Sequence, residues 1–85
     1  QRAMQRTIRV PIAEVYVPAK RRKTLDDGRV EALAEEILED GMKTPIMVRA
    51  DKARWVLVEG LHRLEAQRAL GEREIEAFHV QPRQH

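Results

Sequence analysis

The sequence contains neither cysteine nor serine. Without cysteine the chain has no disulfide, no thiolate ligand for a metal and no thiol nucleophile. Without serine it also lacks the hydroxyl nucleophile of the serine hydrolases, so nucleophilic hydrolysis has no obvious agent. No apolar run approaches the roughly 20 residues of a transmembrane helix. These absences lead us to expect a cytoplasmic protein that makes no membrane contact.

Aromatic residues are also scarce, at 4% of 85 residues, so the core must consist of aliphatic side chains. This length allows one small domain. Hydrophobic residues make up 42% and charged residues 35%, a balance typical of a globular chain. Because the first residue is Gln1, we expect an excised domain of a longer protein. We predict an N-terminal extension over residues 1–7, the domain over residues 8–80 and the start of a linker over residues 81–85.

The net charge of +2 is small, but the charges are unevenly distributed. Four consecutive cations occupy residues 20–23, and further basic residues are Arg2, Arg6 and Arg9. Adjacent like charges repel one another, so the cations need either solvent or an anionic partner such as a nucleotide or nucleic acid. The acidic residues cluster in one segment and are predicted to form a solvated helix face: Glu31, Glu35, Glu36, Glu39 and Asp40.

The pattern of apolar residues predicts the order β-α-β-β-α-β, an α+β domain with a small mixed sheet and two main helices. Residues 8–17 form an irregular first strand with Pro11 near a sheet edge, and residues 18–24 form a basic loop. Asp26 or Asp27 caps the first helix, and Gly41 ends it. Its predicted apolar stripe is Val30, Leu33, Ala34, Ile37 and Leu38.

Residues 45–49 and 54–59 are predicted to form a β-hairpin. The run over residues 55–58 lacks polar alternation, which indicates a central strand that is covered on both faces. Trp55 is expected to pack there rather than to stack on a base. Residues 61–70 form the second helix, closed by Gly71, and residues 75–80 form the last strand. The predicted inward stripe of that helix is His62, Ala66, Ala69 and Leu70.

A single glycine, Gly60, joins the predicted strand to the second helix. The first N–H groups of a helix lack partners, and the helix dipole places partial positive charge there. With His62 and Arg63 in the first turn, this corner could bind phosphate. The alternative interpretation is an ordinary turn, with Arg63 in a surface ion pair and His62 at the edge of the core. His79 and His85 have no partner at metal-ligand spacing, so no zinc site is expected.

Several motifs together resemble the ParB/sulfiredoxin superfamily, and above all the ParB N-terminal domain, also known as the ParB-like nuclease domain. The resemblance covers roughly residues 8–80, and motifs that agree in one order are more specific than any one of them. They are Pro18 with Arg21 and Arg22, residues 33–37 (LAEEI), Gly41, residues 44–48 (TPIMV), residues 58–66 (VEGLHRLEA) and residues 69–71 (ALG).

The resemblance implies a pocket for CTP or ATP with Mg²⁺. Its phosphate contacts would be Gly60, Leu61, His62 and Arg63, assisted by the arginines Arg21 and Arg22. Thr44 and Pro45 would be weaker contributors to the pocket wall. Glu59 is a tentative catalytic residue or Mg²⁺ ligand, and a solvated or salt-bridged Glu59 is the alternative. Leu61 occupies the place of the sulfiredoxin cysteine, so reduction of a sulfinic acid is not expected.

The resemblance further implies a part of a chromosome or plasmid partition protein, or of a transcription regulator, located on the nucleoid or a plasmid. Its partners would be the nucleotide, DNA through the full-length protein, and a second copy in a homodimer. Any NTP hydrolysis, CTPase-like, would be slow. The rival interpretation is a small nucleotide-dependent phosphotransferase or nuclease that uses Glu59. A third interpretation takes the basic residues 2–9 and 20–23 as a direct DNA surface.

Overall fold

The computed structural model describes residues 6–81 and confirms an α+β domain with a mixed sheet and two main helices. Five strands form one sheet in the order β1-β5-β3-β4-β2. The elements are β1 (Thr7–Pro11), a 3-10 turn (Ile12–Glu14), β2 (Val15–Tyr16), α1 (Ala19–Arg22), α2 (Asp27–Asp40), β3 (Ile46–Asp51), β4 (Arg54–Glu59), α3 (Leu61–Ala69) and β5 (Glu74–His79). Within the described residues, no helix is long and apolar enough to cross a membrane.

The predicted first strand is divided into β1 and β2, which lie at opposite edges of the sheet. Pro11 is therefore at an edge, as its missing N–H requires. Pro11 and Val15 are four residues apart and can be separated by at most about 14 Å. A flat sheet would place these two edges about 19 Å apart at about 4.8 Å per strand. The sheet must therefore curl, which brings its edges together around the core.

The hairpin of β3 and β4 is confirmed, with Arg49 opposite Val56. Neighbouring residues Val56 and Leu57 point to opposite faces and are 3% and 2% exposed, so both faces of β4 are covered. β4 is an internal strand as predicted, because β3 pairs with it on one side and β2 on the other, and β3 is the middle strand of the five. β3 also pairs in parallel with β5, through Ile46 and Ala77.

α3 packs on the core-facing side of the sheet. Leu61, Leu64 and Ala66 are its buried residues, so the predicted inward stripe is confirmed at Ala66. Ala69 is exposed, so the predicted inward stripe is wrong at this position. Ala69 follows Glu65 by four residues, and positions four apart lie on the same side of a helix. That side faces solvent and carries the ion pair between Glu65 and Arg68, at 3.2 Å.

α2 packs against α3 rather than against the sheet, and none of its side chains is fully buried. Leu38 was predicted on its apolar stripe but is 75% exposed. At about 100° per residue, Leu38 falls at the margin of the stripe. The half-buried members of the stripe are Val30, Leu33, Ala34 and Ile37.

The predicted basic loop contains one helical turn, α1. Alanine, lysine and arginine all favour helix, and Pro18 provides a fixed φ at its start. The Pro18 carbonyl accepts hydrogen bonds from the backbone N–H groups of Arg21 and Arg22, both at 3.0 Å. The prediction of an irregular loop here was therefore wrong, because local hydrogen bonds outweigh the repulsion between the adjacent cations.

Asp26 is the N-cap of α2, and its Oδ1 accepts hydrogen bonds from Gly28 N at 2.9 Å and Arg29 N at 3.4 Å. We expect Asp26→Ala to lower the free energy of unfolding by about 1 kcal/mol, because two helix N–H groups lose their acceptor. Asp27→Ala is the matched control, since Asp27 begins the helix without capping it. Urea unfolding measures both, and equal losses would contradict the capping role.

Candidate functional site

The corner between β4 and α3 is built around Gly60, which has φ 108° and ψ 32°. Gly60 provides no side-chain cap to α3. The first backbone hydrogen bond of the helix runs from Leu64 N to the Gly60 carbonyl, at 2.9 Å. The N–H groups of Leu61, His62 and Arg63 precede it, so they have no acceptor within the helix. Together with the helix dipole they favour an anion at this end.

Packing also requires glycine at this corner. A Cβ on residue 60 would lie 2.7 Å from Cγ2 and 2.9 Å from Cβ of Ile46, whose side chain is fully buried. A left-handed φ adds a backbone penalty for any other residue. Gly60 therefore lets the start of α3 approach β3, whereas the sequence suggested only that it leaves room for a ligand.

A cavity of about 530 Å³ lies between α2 and α3 and opens to solvent. We call it the α2–α3 cavity. It combines three arginines and two carboxylates with the uncapped start of α3. Its lining is Arg21, Thr24, Arg29, Ala32, Leu33, Glu36, Glu59, Gly60, Leu61, His62 and Arg63.

The cavity brings together most of the residues that were predicted for the site, including Glu59 and Arg21. Sequence reasoning missed Thr24 and Arg29. It also assigned Glu36 to the solvated face of α2, yet this exposed residue lines the cavity. The sequence could have grouped Arg29 with Glu36, because Arg29, Leu33 and Glu36 are spaced at i, i+4 and i+7 and therefore lie along one side of a helix.

Arg22 does not line the α2–α3 cavity. Its Nη2 donates a hydrogen bond to the Val17 carbonyl at 3.4 Å. It lines a separate groove of about 620 Å³ between β2 and α3, together with Tyr16 and Arg54. Arg21 and Arg22 diverge because consecutive side chains on a helical turn point about 100° apart. Arg21 therefore lines the α2–α3 cavity, whereas Arg22 lines the other groove.

Thr44 and Pro45 lie beside the cavity rather than in its wall. Thr44 lines a smaller pocket of about 190 Å³, which shares Arg63 and Glu36 with the α2–α3 cavity. Pro45 is half-buried and is not among the residues that line the larger cavity. Thr44 therefore adjoins the α2–α3 cavity through these shared residues.

The half-buried side chain of His62 connects the starts of α2 and α3. Its Nε2 accepts a hydrogen bond from the backbone N–H of Asp26, at 3.1 Å. A histidine nitrogen that accepts a hydrogen bond carries no proton. His62 therefore lines the cavity with one of its two ring nitrogens already engaged.

The other residues weighed from the sequence lie away from this corner. His79 packs edge-on against Trp55, with ring centroids 5.1 Å apart, which confirms the packing role of Trp55. In the described part of the chain, no group of three His, Asp or Glu side chains could hold a metal ion. His85 and Arg2 lie outside the described residues.

The basic residues also separate. Residues 20–23 are exposed on and just after α1. Arg9 lies on β1 and pairs with Glu74, with Nε 3.3 Å from Oε1. Because a carboxylate offsets the charge of Arg9, the stronger cationic surface is α1, which adjoins the α2–α3 cavity through Arg21.

Comparison with known proteins gives a consistent family. The family model described as ParB N-terminal domain matches residues 1–85. The probable chromosome-partitioning protein ParB of Campylobacter jejuni is 39% identical over 61 residues, which cover 72% of this chain and 22% of that protein. The chain thus spans about a fifth of the length of this relative.

Solved structures share the fold. Sulfiredoxin from Arabidopsis thaliana has a TM-score of 0.79 and 25% identity, covering 91% of this chain and 86% of that one. A truncated chromosome-partitioning protein ParB from Caulobacter crescentus, complexed with CTP-gamma-S, has a TM-score of 0.77 and 23% identity, covering 91% and 45%. A mutant free serine kinase in complex with AMP has a TM-score of 0.78 and 16% identity, covering 92% and 32%.

Proposed function

The chain belongs to the ParB N-terminal domain family, and from this premise we propose that it binds CTP or ATP, with Mg²⁺, in the α2–α3 cavity. The bound triphosphate would lie against the start of α3. The domain, over residues 8–80, would serve a DNA partition or transcription-regulating protein associated with the nucleoid or a plasmid. The related ParB structure holds CTP-gamma-S, and the kinase structure of the same fold holds AMP.

The observation that carries this proposal is the convergence of arginines on an uncapped helix start. Arg63 lies in the first turn of α3, Arg21 comes from α1 and Arg29 from α2, and all three line one cavity. A triphosphate carries several negative charges and many acceptor oxygens. Backbone N–H groups and guanidinium forks provide both positive charge and directed donors for it. An ordinary turn would not need cations from three elements.

Two carboxylates of the same cavity support the proposal of Mg²⁺. Glu59 and Glu36 line the cavity together with the arginines. Mg²⁺ is typically held by one or two carboxylates together with substrate phosphates. We propose that Glu59 takes part in this way once the nucleotide supplies phosphate oxygens. DNA would be contacted through the full-length protein, and nucleotide binding would favour association of two copies.

Calorimetric titration with CTP, ATP and GTP, each with and without Mg²⁺, tests the proposal. We expect saturable heat with CTP or ATP and a weaker signal without Mg²⁺, because the metal neutralises phosphate charge. Inorganic triphosphate separates recognition of the phosphates from recognition of the base. Absence of heat with every nucleotide would overturn the proposal.

A second candidate function is nucleotide-dependent phosphoryl transfer or nuclease activity, and the position of Glu59 in the cavity favours it. A carboxylate beside a bound triphosphate could accept the proton of an attacking hydroxyl or water. We then expect Glu59→Gln to lower kcat by about 100-fold or more while nucleotide affinity changes little. Phosphate-release assays with this variant decide between the functions. Binding without turnover in the wild-type protein would identify a nucleotide-controlled binding domain.

A further inference from the structure

His62 and Asp26 are 36 residues apart in sequence and are joined by a hydrogen bond from Asp26 N to His62 Nε2, at 3.1 Å. Asp26 is the N-cap of α2, and His62 is the second residue of α3. This bond therefore joins the starts of two helices that both line the α2–α3 cavity.

The carbonyl and Oδ1 of Asp26 bind N–H groups of α2. Its carbonyl accepts from Val30 N at 3.1 Å, and its Oδ1 accepts from the N–H groups of Gly28 and Arg29. One residue thus caps α2 through its side chain and attaches to α3 through its N–H. Any change at His62 acts on the first turn of α2, which includes the cavity residue Arg29.

Hydrogen bonds also hold the residues between α1 and Asp26. Thr24 Oγ1 donates to the Arg21 carbonyl at 2.7 Å, and Leu25 N donates to the Arg22 carbonyl at 3.2 Å. The segment that carries Arg21 and Thr24 therefore leads directly into the Asp26 anchor. Fixing Asp26 against α3 therefore holds this segment at the cavity that Arg63 also lines.

We infer that His62 is a positioning residue rather than a side-chain ligand of phosphate. Its Nε2 accepts the hydrogen bond that anchors Asp26, which assigns the ring proton to Nδ1, and this anchor positions Arg29 and Arg21 at the cavity that Arg63 also lines. If Nε2 carried a proton, it would be a donor facing the Asp26 N–H, which is also a donor, and this hydrogen bond would be lost. The backbone N–H of His62 stays free for an anion, so this role is compatible with the corner site. Only the affinity predictions below rest on the proposed function.

Nitrogen-15 NMR of the labelled protein tests the proton assignment without any nucleotide. We expect Nδ1 of His62 to be protonated and Nε2 to be unprotonated, with a through-hydrogen-bond coupling between Nε2 and the Asp26 amide nitrogen. His79, which packs on Trp55, is the internal comparison. Protonation of His62 on Nε2 in the folded protein at neutral pH would overturn the inference.

Two substitutions test the positioning role. Glutamine can place an oxygen acceptor near the position of Nε2, whereas alanine cannot. We expect His62→Ala to weaken CTP or ATP binding about tenfold, and His62→Gln to restore it to within about threefold of wild type. Exchange of the Asp26 amide hydrogen should accelerate in His62→Ala and stay protected in His62→Gln.

A direct contact between the imidazole and phosphate predicts a different pattern. His62→Gln would then lose as much affinity as His62→Ala, while exchange of the Asp26 amide would not change in either variant. That result would overturn the inference. If the wild-type protein binds neither nucleotide, the proposed function fails, and the tautomer and amide exchange still decide the role of His62.

Discussion

Replacing Arg63 by alanine is expected to weaken nucleotide binding by about 10- to 100-fold, the range for loss of charged hydrogen bonds. Arg63 is half-buried in the first turn of α3 and lines both the α2–α3 cavity and the smaller pocket beside Thr44. Its guanidinium can bind two phosphate oxygens at once beside the uncapped N–H groups. Isothermal calorimetry with CTP and ATP measures the change in affinity.

Arg68 is the matched control for Arg63, because it lies on the same helix and has the same charge. It is exposed, pairs with Glu65 and does not line the α2–α3 cavity. Arg68→Ala should change affinity by no more than about twofold, the scale of a screened surface charge. Arg63→Lys should fall between wild type and Arg63→Ala, because lysine keeps the charge but loses the fork. Equal losses in the Arg63 and Arg68 variants would mean that general charge, and not a site at this corner, attracts the nucleotide.

Replacing Gly60 by alanine should lower the free energy of unfolding by about 2–5 kcal/mol. The left-handed backbone contributes about 1–2 kcal/mol, and overpacking in the core contributes about 1–3 kcal/mol. The overlap is with Cγ2 and Cβ of Ile46. The Ile46 side chain is fully buried, so its displacement would disturb the packing of the core. For a domain of this size such a loss is a large part of the total stability. Urea unfolding by circular dichroism measures it.

Gly71→Ala isolates the cost of the clash. Gly71 has φ +85°, and no atom lies within 4 Å of the Cβ that alanine would add. It should therefore carry only the backbone penalty of about 1–2 kcal/mol. If Gly60→Ala and Gly71→Ala destabilise equally, close packing between α3 and β3 is not what requires the glycine.

The local features of this protein were predictable from its sequence because short-range rules specify them. The period of two in Ile75 and Ala77 identified a strand with one buried face, and Asp26 before an apolar stripe identified a helix start. Errors occurred where local signals compete. Four adjacent cations concealed the turn of α1, and the margin of the apolar stripe at Leu38 could not be separated from its centre.

The candidate site was only half predictable, for a related reason. A strand, a glycine and a helix that follow one another are contiguous in the chain, so the corner at Gly60 and Arg63 could be read directly. Arg29 and Glu36 reach the same cavity from a helix whose placement depends on packing against α3. The apolar stripe indicates which side of α2 is packed, but no local pattern shows that α3 is the element packed against it.

The sequence by itself determined the family, the α+β class and the strand-to-helix corner, since these follow from residue types at fixed short spacings. Only the tertiary structure decided that Arg21 faces the cavity while Arg22 faces a different groove. It alone showed that His62 anchors Asp26 and that Gly60 lies against Ile46. Each of these depends on the distance between residues far apart in the chain, and that distance is set by how the curled sheet and its two main helices pack.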